Sequence, residues 1–265
     1  PSRGLGDVYK RQVLVGLAFL SICAFWQMHD NVIPLILTKT FHMNETYSGV
    51  IMAADNILAL FLLPFFGSVS DKSHTKIGKR MPFILFGTGC AIILMNILPL
   101  LDNSYAAQPS GLKTASFVIV LGLLLVTMGT YRSPAVALMP DVTPKPLRSR
   151  ANAIINLMGA VGGILYLGVA AVLYPNSKTA GLDHVNYQPL FIVVSAIMFI
   201  AIAVLFLTVK EPKLTAENQA LEKQHPEWNL AETDASGHEV LPKPVKKSLG
   251  FLLASIALWF AGYNG

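Results

Sequence analysis

The chain has 265 residues, of which 53% are hydrophobic and only 13% charged, with a formal net charge of +5. An ordinary soluble domain carries about 25% charged residues, so the starting expectation is a membrane protein. The basic residues lie between apolar runs, not on one folded face, which argues against a nucleic-acid binder.

Residues 1–12 are polar and are set aside as a leader, either a native cytoplasmic lead or a non-native remnant. The apolar run 13–37 is too long for a signal-peptide core and reads as a retained spanning helix. Its far half carries Trp26, Gln27, His29, Asp30 and Asn31. A second span covers 46–70, interrupted by Asp55-Asn56 and containing Pro64. A third covers 82–101, with Pro82 in its first turn, where a missing N–H costs little. Residues 102–113 form a polar loop, and 114–139 a fourth span holding Arg132. Pro140-Asp141 is expected to break that helix.

The fifth span, 151–174, places Gly159 and Gly163 one turn apart, a pattern that permits close helix contact. A polar loop over 175–187 precedes the sixth span, 188–209. Residues 210–247 have mixed charge and four prolines; they read as a cytoplasmic linker with a short helix near 215–223. A seventh span begins at 248 and is cut short at 265, so the chain reads as a piece of a longer protein. Cys23 and Cys90 lie inside apolar runs and read as core residues. No spacing suggests a metal site or a cofactor.

Lys and Arg collect on the cytoplasmic side of short membrane loops. The 71–80 loop and the 140–150 turn hold Lys72, Lys76, Lys79, Arg80, Lys145, Arg148 and Arg150. The loops opposite hold Lys39, Lys113 and Lys178. The first set is therefore expected inside, together with the N-terminus and the linker.

The 67–80 loop reads Gly67, three residues, Asp71-Lys72, five residues, then Gly78-Lys79-Arg80. This resembles the signature of the major facilitator superfamily. The long spacing and the following Met81-Pro82-Phe83 are similar to its sucrose/proton symporter and glycoside-pentoside-hexuronide branches. A second stretch has Tyr131-Arg132-Ser133-Pro134, then Asp141, then Arg148 ahead of Ala151-Asn152. It resembles the helix 4 to helix 5 region of the same branches. The resemblance implies an all-α membrane fold: the six-helix N-terminal bundle of a major facilitator and the start of a seventh helix. Three departures stand out. The helix-4 Arg of plant sucrose carriers falls nearer Val136, one turn from Arg132. No acid lies in 119–129, where plant sucrose carriers have one, and Leu62 and Leu63 precede Pro64 where melibiose-type carriers have acids. The family's coupling residues are therefore not carried over.

A charge deep in the bilayer costs about 2.5–3.5 kcal/mol on insertion scales, so it normally faces a cavity or a partner. Asp30, Asp55 and Arg132 qualify, with both acids within about 10 Å of the midplane by helix rise. As a carbohydrate site, Trp26 stacks on a sugar face, Gln27, Asn31, Asn56 and Arg132 bond hydroxyls, and Asp30 or Asp55 carries the proton. Each residue has a plainer reading. Asp30 with His29 lines an external vestibule, Asp55-Asn56 is an interhelical pair, Trp26 faces lipid, and Arg132 snorkels to headgroups.

In the loop, Asp71 is expected to accept from a neighbouring helix N-terminus, and Lys79-Arg80 to rest on headgroups. The expected function is a carrier in an inner or plasma membrane, moving a sugar or glycoside with a proton or another cation by alternating access. Its partners are the solute, the bilayer and a C-terminal half of the same protein. The alternative is a carrier of another solute, including a drug exporter. A membrane enzyme would need clustered nucleophile, base or metal ligands at one depth, which the sequence does not offer.

Overall fold

The computed structural model describes residues 3–228, 232–233, 239–240 and 243–264. Of the expected 210–247 linker, residues 229–231, 234–238 and 241–242 lie outside the described residues, as do Pro1, Ser2 and Gly265.

Helix α1 runs over Arg3–Leu35 and passes into a π-turn at Ile36–Thr40, just after Pro34. A proline removes one rung of the helix ladder, and π-turns form where that ladder is interrupted. Helix α2 spans Glu45–Asp71, with the Asn44 side chain accepting the Thr46 N–H at 3.0 Å as its N-cap. Helix α3 is Met81–Ala107, α4 Gly111–Asp141 and α5 Arg148–Leu173. A four-residue turn, α6, covers Asn176–Thr179 and leads to α7, Gln188–Thr208. Helix α8 is Glu211–Gln224.

Residues 219–265 form a second compact unit. It holds a two-residue antiparallel ladder of β1 (Glu232–Thr233) with β2 (Glu239–Val240), and helix α9, Lys243–Asn264.

Among the described residues, six helical stretches are long and apolar enough to cross a membrane: Tyr9–Thr40, α2, α3, α4, Lys145–Leu173 and α7. The chain is a multi-pass, all-α membrane protein. Helix α9 forms where the seventh span is expected but is not among those six.

Several boundaries move, three of them with consequences for packing. The first helix starts inside the 1–12 stretch, where Gln12 is buried and its amide donates to the Thr143 hydroxyl at 2.6 Å. Helix α3 runs on six residues past 101, through the segment read as loop. Helix α4 passes Pro140 and stops at Asp141. Proline at 140 lacks an N–H and its ring crowds the carbonyl four residues back, but it falls in the last turn of α4, where Arg148 takes over the helix end. Its guanidinium donates to the carbonyls of Pro140 and Thr143 at 3.1 and 3.2 Å.

The helix contacts reveal a repeat that the letters hide. Helix α1 packs on α5 and α7, α4 packs on α2 and α3, and α3 packs on α7. Exchanging α1 with α4, α2 with α5 and α3 with α7 turns this set of pairs into itself. Partners in that exchange run in opposite directions, as in an inverted three-helix repeat. The α2–α3 loop, the α4–α5 connection and the end of α7 lie at one end, here termed the signature end.

The core is filled by Phe25, Met28 and Ile33 of α1, Phe117 and Tyr131 of α4, and Phe191 of α7. The close approach of α1 and α5 is centred on Gly162 and Gly159, not on the expected Gly159 and Gly163 pair. A Cβ on Gly162 would meet the Leu20 backbone, and one on Gly159 the Cys23 sulfur at 2.9 Å. At Gly163 the nearest atom would be the Cγ of Gln27, at 3.4 Å.

Candidate functional site

Three of the expected site residues meet. Trp26 from α1, Asp55 from α2 and Arg132 from α4 line one cleft, with Leu58, Leu62 and Gly129 among its walls. The Arg132 guanidinium carbon stands 5.7 Å from the centre of the Trp26 ring, within cation–π range. Among the described residues Arg132 makes no hydrogen bond or ion pair, so its five donors remain available. The Trp26 ring is held edge-on between Phe25, at 5.3 Å, and His29, at 5.2 Å. Its indole N–H is buried without a partner among the described residues.

Asp55 is half-buried, and its nearest charged neighbours are His29, Asp30 and Arg132. One of its carboxylate oxygens accepts the backbone N–H of Asn56 at 2.6 Å. His29 is 1% exposed, its Nδ1 3.0 Å from the Asp30 carboxylate and its Nε2 without a partner among the described residues. The four ionisable groups of α1, α2 and α4 thus share one neighbourhood.

The amides are placed elsewhere. Gln27 is exposed over Gly163 of α5. The Asn31 side chain donates to the Gln27 carbonyl at 2.6 Å, so it serves its own helix. Asn56 is exposed and does not line the cleft. The carbohydrate-binding set of Gln27, Asn31 and Asn56 is therefore not assembled here. Sequence reading also missed His29 as a buried group, and the contact that fixes α4 against α1. Buried Tyr131 donates to the Ala18 carbonyl at 2.9 Å and shares a hydrogen bond with Ser21.

The cleft has about 20 Å³ of free space, enough for one water and far too small for a sugar ring. A groove of about 380 Å³ lies at the signature end. Its lining of Lys76, Lys210, Lys213 and apolar residues includes no carboxylate, amide or hydroxyl. It lacks the paired donors and acceptors that a polyol needs.

The signature residues build a second cluster. Arg80 is 4% exposed, not resting on headgroups as expected. Its Nε donates to Asp141 at 2.9 Å and its Nη1 to the Ser70 hydroxyl at 2.5 Å, while Nη2 pairs with Asp71. Lys79 adds a 3.2 Å contact to Asp141. The acceptor at the start of α3 is Glu211, not Asp71. Its buried carboxylate takes the backbone N–H groups of Lys79, Arg80 and Met81 at 2.8–3.2 Å.

Gly78 explains that fit. Its φ of +120° disfavours any side chain, and a Cβ there would strike the Glu211 carboxylate. Gly67 faces α4, where a Cβ would lie 3.1 Å from the Ser133 hydroxyl. Lys72 closes α2 through its backbone, and its side chain stays exposed.

The family model described as Major Facilitator Superfamily matches residues 15–265. The sucrose transport protein SUC3 of Arabidopsis thaliana is 32% identical over 145 residues, 50% of this chain and 24% of that protein. Sucrose transport protein SUT3 of Oryza sativa subsp. indica is 31% identical over 141 residues, 48% of this chain and 28% of that protein. Solute carrier family 45 member 3 of Homo sapiens is 26% identical over 185 residues, 68% of this chain and 33% of that protein. The matched stretches thus span a quarter to a third of these relatives' length.

Proposed function

This chain belongs to the Major Facilitator Superfamily, and from that premise we propose that it forms part of a secondary carrier that moves a sugar or glycoside together with a proton. The observation that carries the reading is the meeting of Trp26, Asp55 and Arg132, from three different helices, on one cleft. An indole offers a flat apolar face to a pyranose, and a guanidinium offers a rigid fork of donors to neighbouring hydroxyls. Asp55, with His29 and Asp30 beside it, supplies the proton site. Two relatives are named as sucrose transport proteins, which supports the solute class.

The cleft is narrow because, in this reading, the bundle is one wall of a site that opens and closes by alternating access. The opposite wall is the C-terminal half of the same protein. In support, α2 buries only Ser48 and Ser70 and leaves Ile57, Leu60, Phe61 and Phe65 uncovered. The apolar walls of the cleft favour one second reading, a carrier for a less polar solute, an exporter included.

Solute counterflow by the complete protein in proteoliposomes, against a panel of sugars, tests the class. Within it, Asp55→Asn is expected to retain downhill exchange and lose accumulation, because Asn keeps the size but carries no proton. Arg132→Lys is expected to insert normally and lose most of its ligand-dependent thermal protection. Equal protection of the Lys variant would assign Arg132 to the headgroups instead, where either cation serves.

The same proposal places the signature end, the N-terminus and residues 210–247 in the cytoplasm of an inner or plasma membrane. In a cysteine-free background, an impermeant thiol reagent applied to intact cells is expected to label Ser110→Cys and spare Ser73→Cys. The reverse pattern would invert the orientation.

A further inference from the structure

The inverted repeat has a chemical counterpart at its two ends. At the signature end, Arg80 of the α2–α3 loop joins Asp141, the last residue of α4, while Glu211 just beyond α7 grips the same loop. The exchange of α1 with α4, α2 with α5 and α3 with α7 sends this cluster to the opposite end. There it falls on the α5–α7 loop, the end of α1 and the end of α3. Near those positions lie His184, Thr40 and, one and a half turns inside the end of α3, Asp102. The permanent cation has become an imidazole.

Asp102 is 0% exposed, and neither of its carboxylate oxygens has a hydrogen bond among the described residues. The nearest ionisable nitrogen is His184 Nδ1, 3.8 Å from Oδ2. The ring's hydrogens are fixed by a chain that begins at a backbone donor. The Gln188 N–H donates to Asn186 Oδ1 at 3.0 Å, which makes that atom the amide oxygen. Asn103 Nδ2 donates to the same oxygen at 2.9 Å, so Asn103 Oδ1 faces His184 Nε2 at 2.9 Å. Nε2 therefore carries a hydrogen. In the neutral ring Nδ1 is bare, and it lies 3.2 Å from the Thr40 hydroxyl on the side of Asp102.

A bare nitrogen and a buried carboxylate, whose side-chain donor at hand is the Thr40 hydroxyl, face each other, and one proton between them relieves both. We propose that Asp102 and His184 form a proton-binding site that holds the α5–α7 loop onto the ends of α1 and α3. It is separate from the Asp55 cleft and rests on neither the solute nor the orientation proposed above. The proton sits on the carboxyl or on Nδ1, and the pair titrates as one unit. With it bound, the loop is fastened through Thr40, Asn103 and Asn186; without it, a buried anion pushes against the loop.

The other groups around the pair leave this assignment intact. Tyr187, at the end of the loop, is the second ionisable group within electrostatic reach of Asp102. Lys39 in the π-turn, His42 just after it and Asp183 in the loop are exposed to solvent. Lys113 of α4 is engaged by the Ser104 and Gln108 carbonyls at 2.7 and 2.8 Å. Tyr105 of α3 packs at a tilt against Phe41. The first turn of α7 after Gln188 has no ionisable group.

The sign of the effect follows from proton counting. Unfolded, an Asp and a His together hold no proton above about pH 6.5. In the proposed site the folded pair keeps one proton to higher pH than that. Its stabilising contribution is therefore complete below that pH and is lost as pH rises. The test is the melting temperature of the purified protein in detergent across about pH 5–9, for the unmodified chain, Asp102→Asn and His184→Gln. The unmodified protein is expected to lose several degrees above about pH 6.5 that Asp102→Asn keeps, so the Asn variant melts higher at alkaline pH. His184→Gln, on a half-exposed loop, leaves Asp102 as the sole proton acceptor, and its pH profile is expected to differ from that of the unmodified protein. Parallel pH profiles for the unmodified chain and Asp102→Asn would overturn the site. If the Asn variant does not fold, a His184→Gln profile superimposed on that of the unmodified protein does the same.

Discussion

Arg80→Ala is expected to lower stability by about 3–5 kcal/mol, the cost of breaking a buried charge pair by removing one partner. The side chain is almost wholly enclosed and serves four oxygens: those of Asp141, Asp71, Ser70 and Gly67. Its loss leaves Asp141 with Lys79 alone at 3.2 Å. Asp71 is more than half exposed and can be hydrated, so the lower part of that range is the better expectation. Arg80→Lys keeps the charge and loses the fork, and is expected to recover only part of the difference. The measurement is thermal or chemical unfolding in detergent, with the cycle Arg80→Ala, Asp141→Asn and the double variant. A double variant no less stable than Arg80→Ala alone confirms that the two act as a unit. A single-variant loss within about 0.5 kcal/mol of zero, as at an ordinary surface position, would show that the cluster does not hold the loop.

Gly162→Ala is expected to be the most damaging single-methyl addition in α5. The new Cβ would lie 2.8 Å from the Leu20 carbonyl carbon and 3.0 Å from its Cα. A side chain can rotate away; the backbone of α1 cannot, so the two helices must separate. Overpacking of this kind costs about 1–3 kcal/mol, and here the strain runs along the α1–α5 contact. Gly168→Ala is the control. Nothing lies within 4 Å of its added Cβ, and Ala favours a helix by about 1 kcal/mol over Gly. The pair should therefore shift melting temperature in opposite directions. A Gly162→Ala protein as stable as Gly168→Ala would mean that the helices are not in backbone contact there.

Hydropathy located the six spanning stretches, because a bilayer requires long apolar runs and tolerates few interruptions. The signature spacing located the loop that Arg80 closes. The rotation of each helix about its axis was much harder to read. In a bundle within lipid, the face toward a neighbour and the face toward acyl chains are both apolar, so the sequence carries little directional pattern. That is why Gln27, Asn31 and Asn56 grouped on paper and separated in space, and why Gly163 seemed to be the contact that Gly162 makes. Long-range partners were equally hidden. Glu211 reaches the start of α3 from 130 residues away, and its own surroundings read as the opening of a linker. Asp102 read as the first residue of a loop because a charge normally ends a span; α3 instead carries it, buried, one and a half turns from its end.

The stacking of Arg132 on Trp26 also has an optical consequence. The chain has three tryptophans, and Trp26 alone lies in the six-helix bundle; the others are Trp228 and Trp259. An indole's emission energy responds to charge placed along its ring, and a guanidinium 5.7 Å away is such a charge. With Phe at 228 and 259, the remaining fluorescence comes from one chromophore seated in the cleft. Its colour then responds to the separation of α1 and α4, with no attached dye and no need to know the solute.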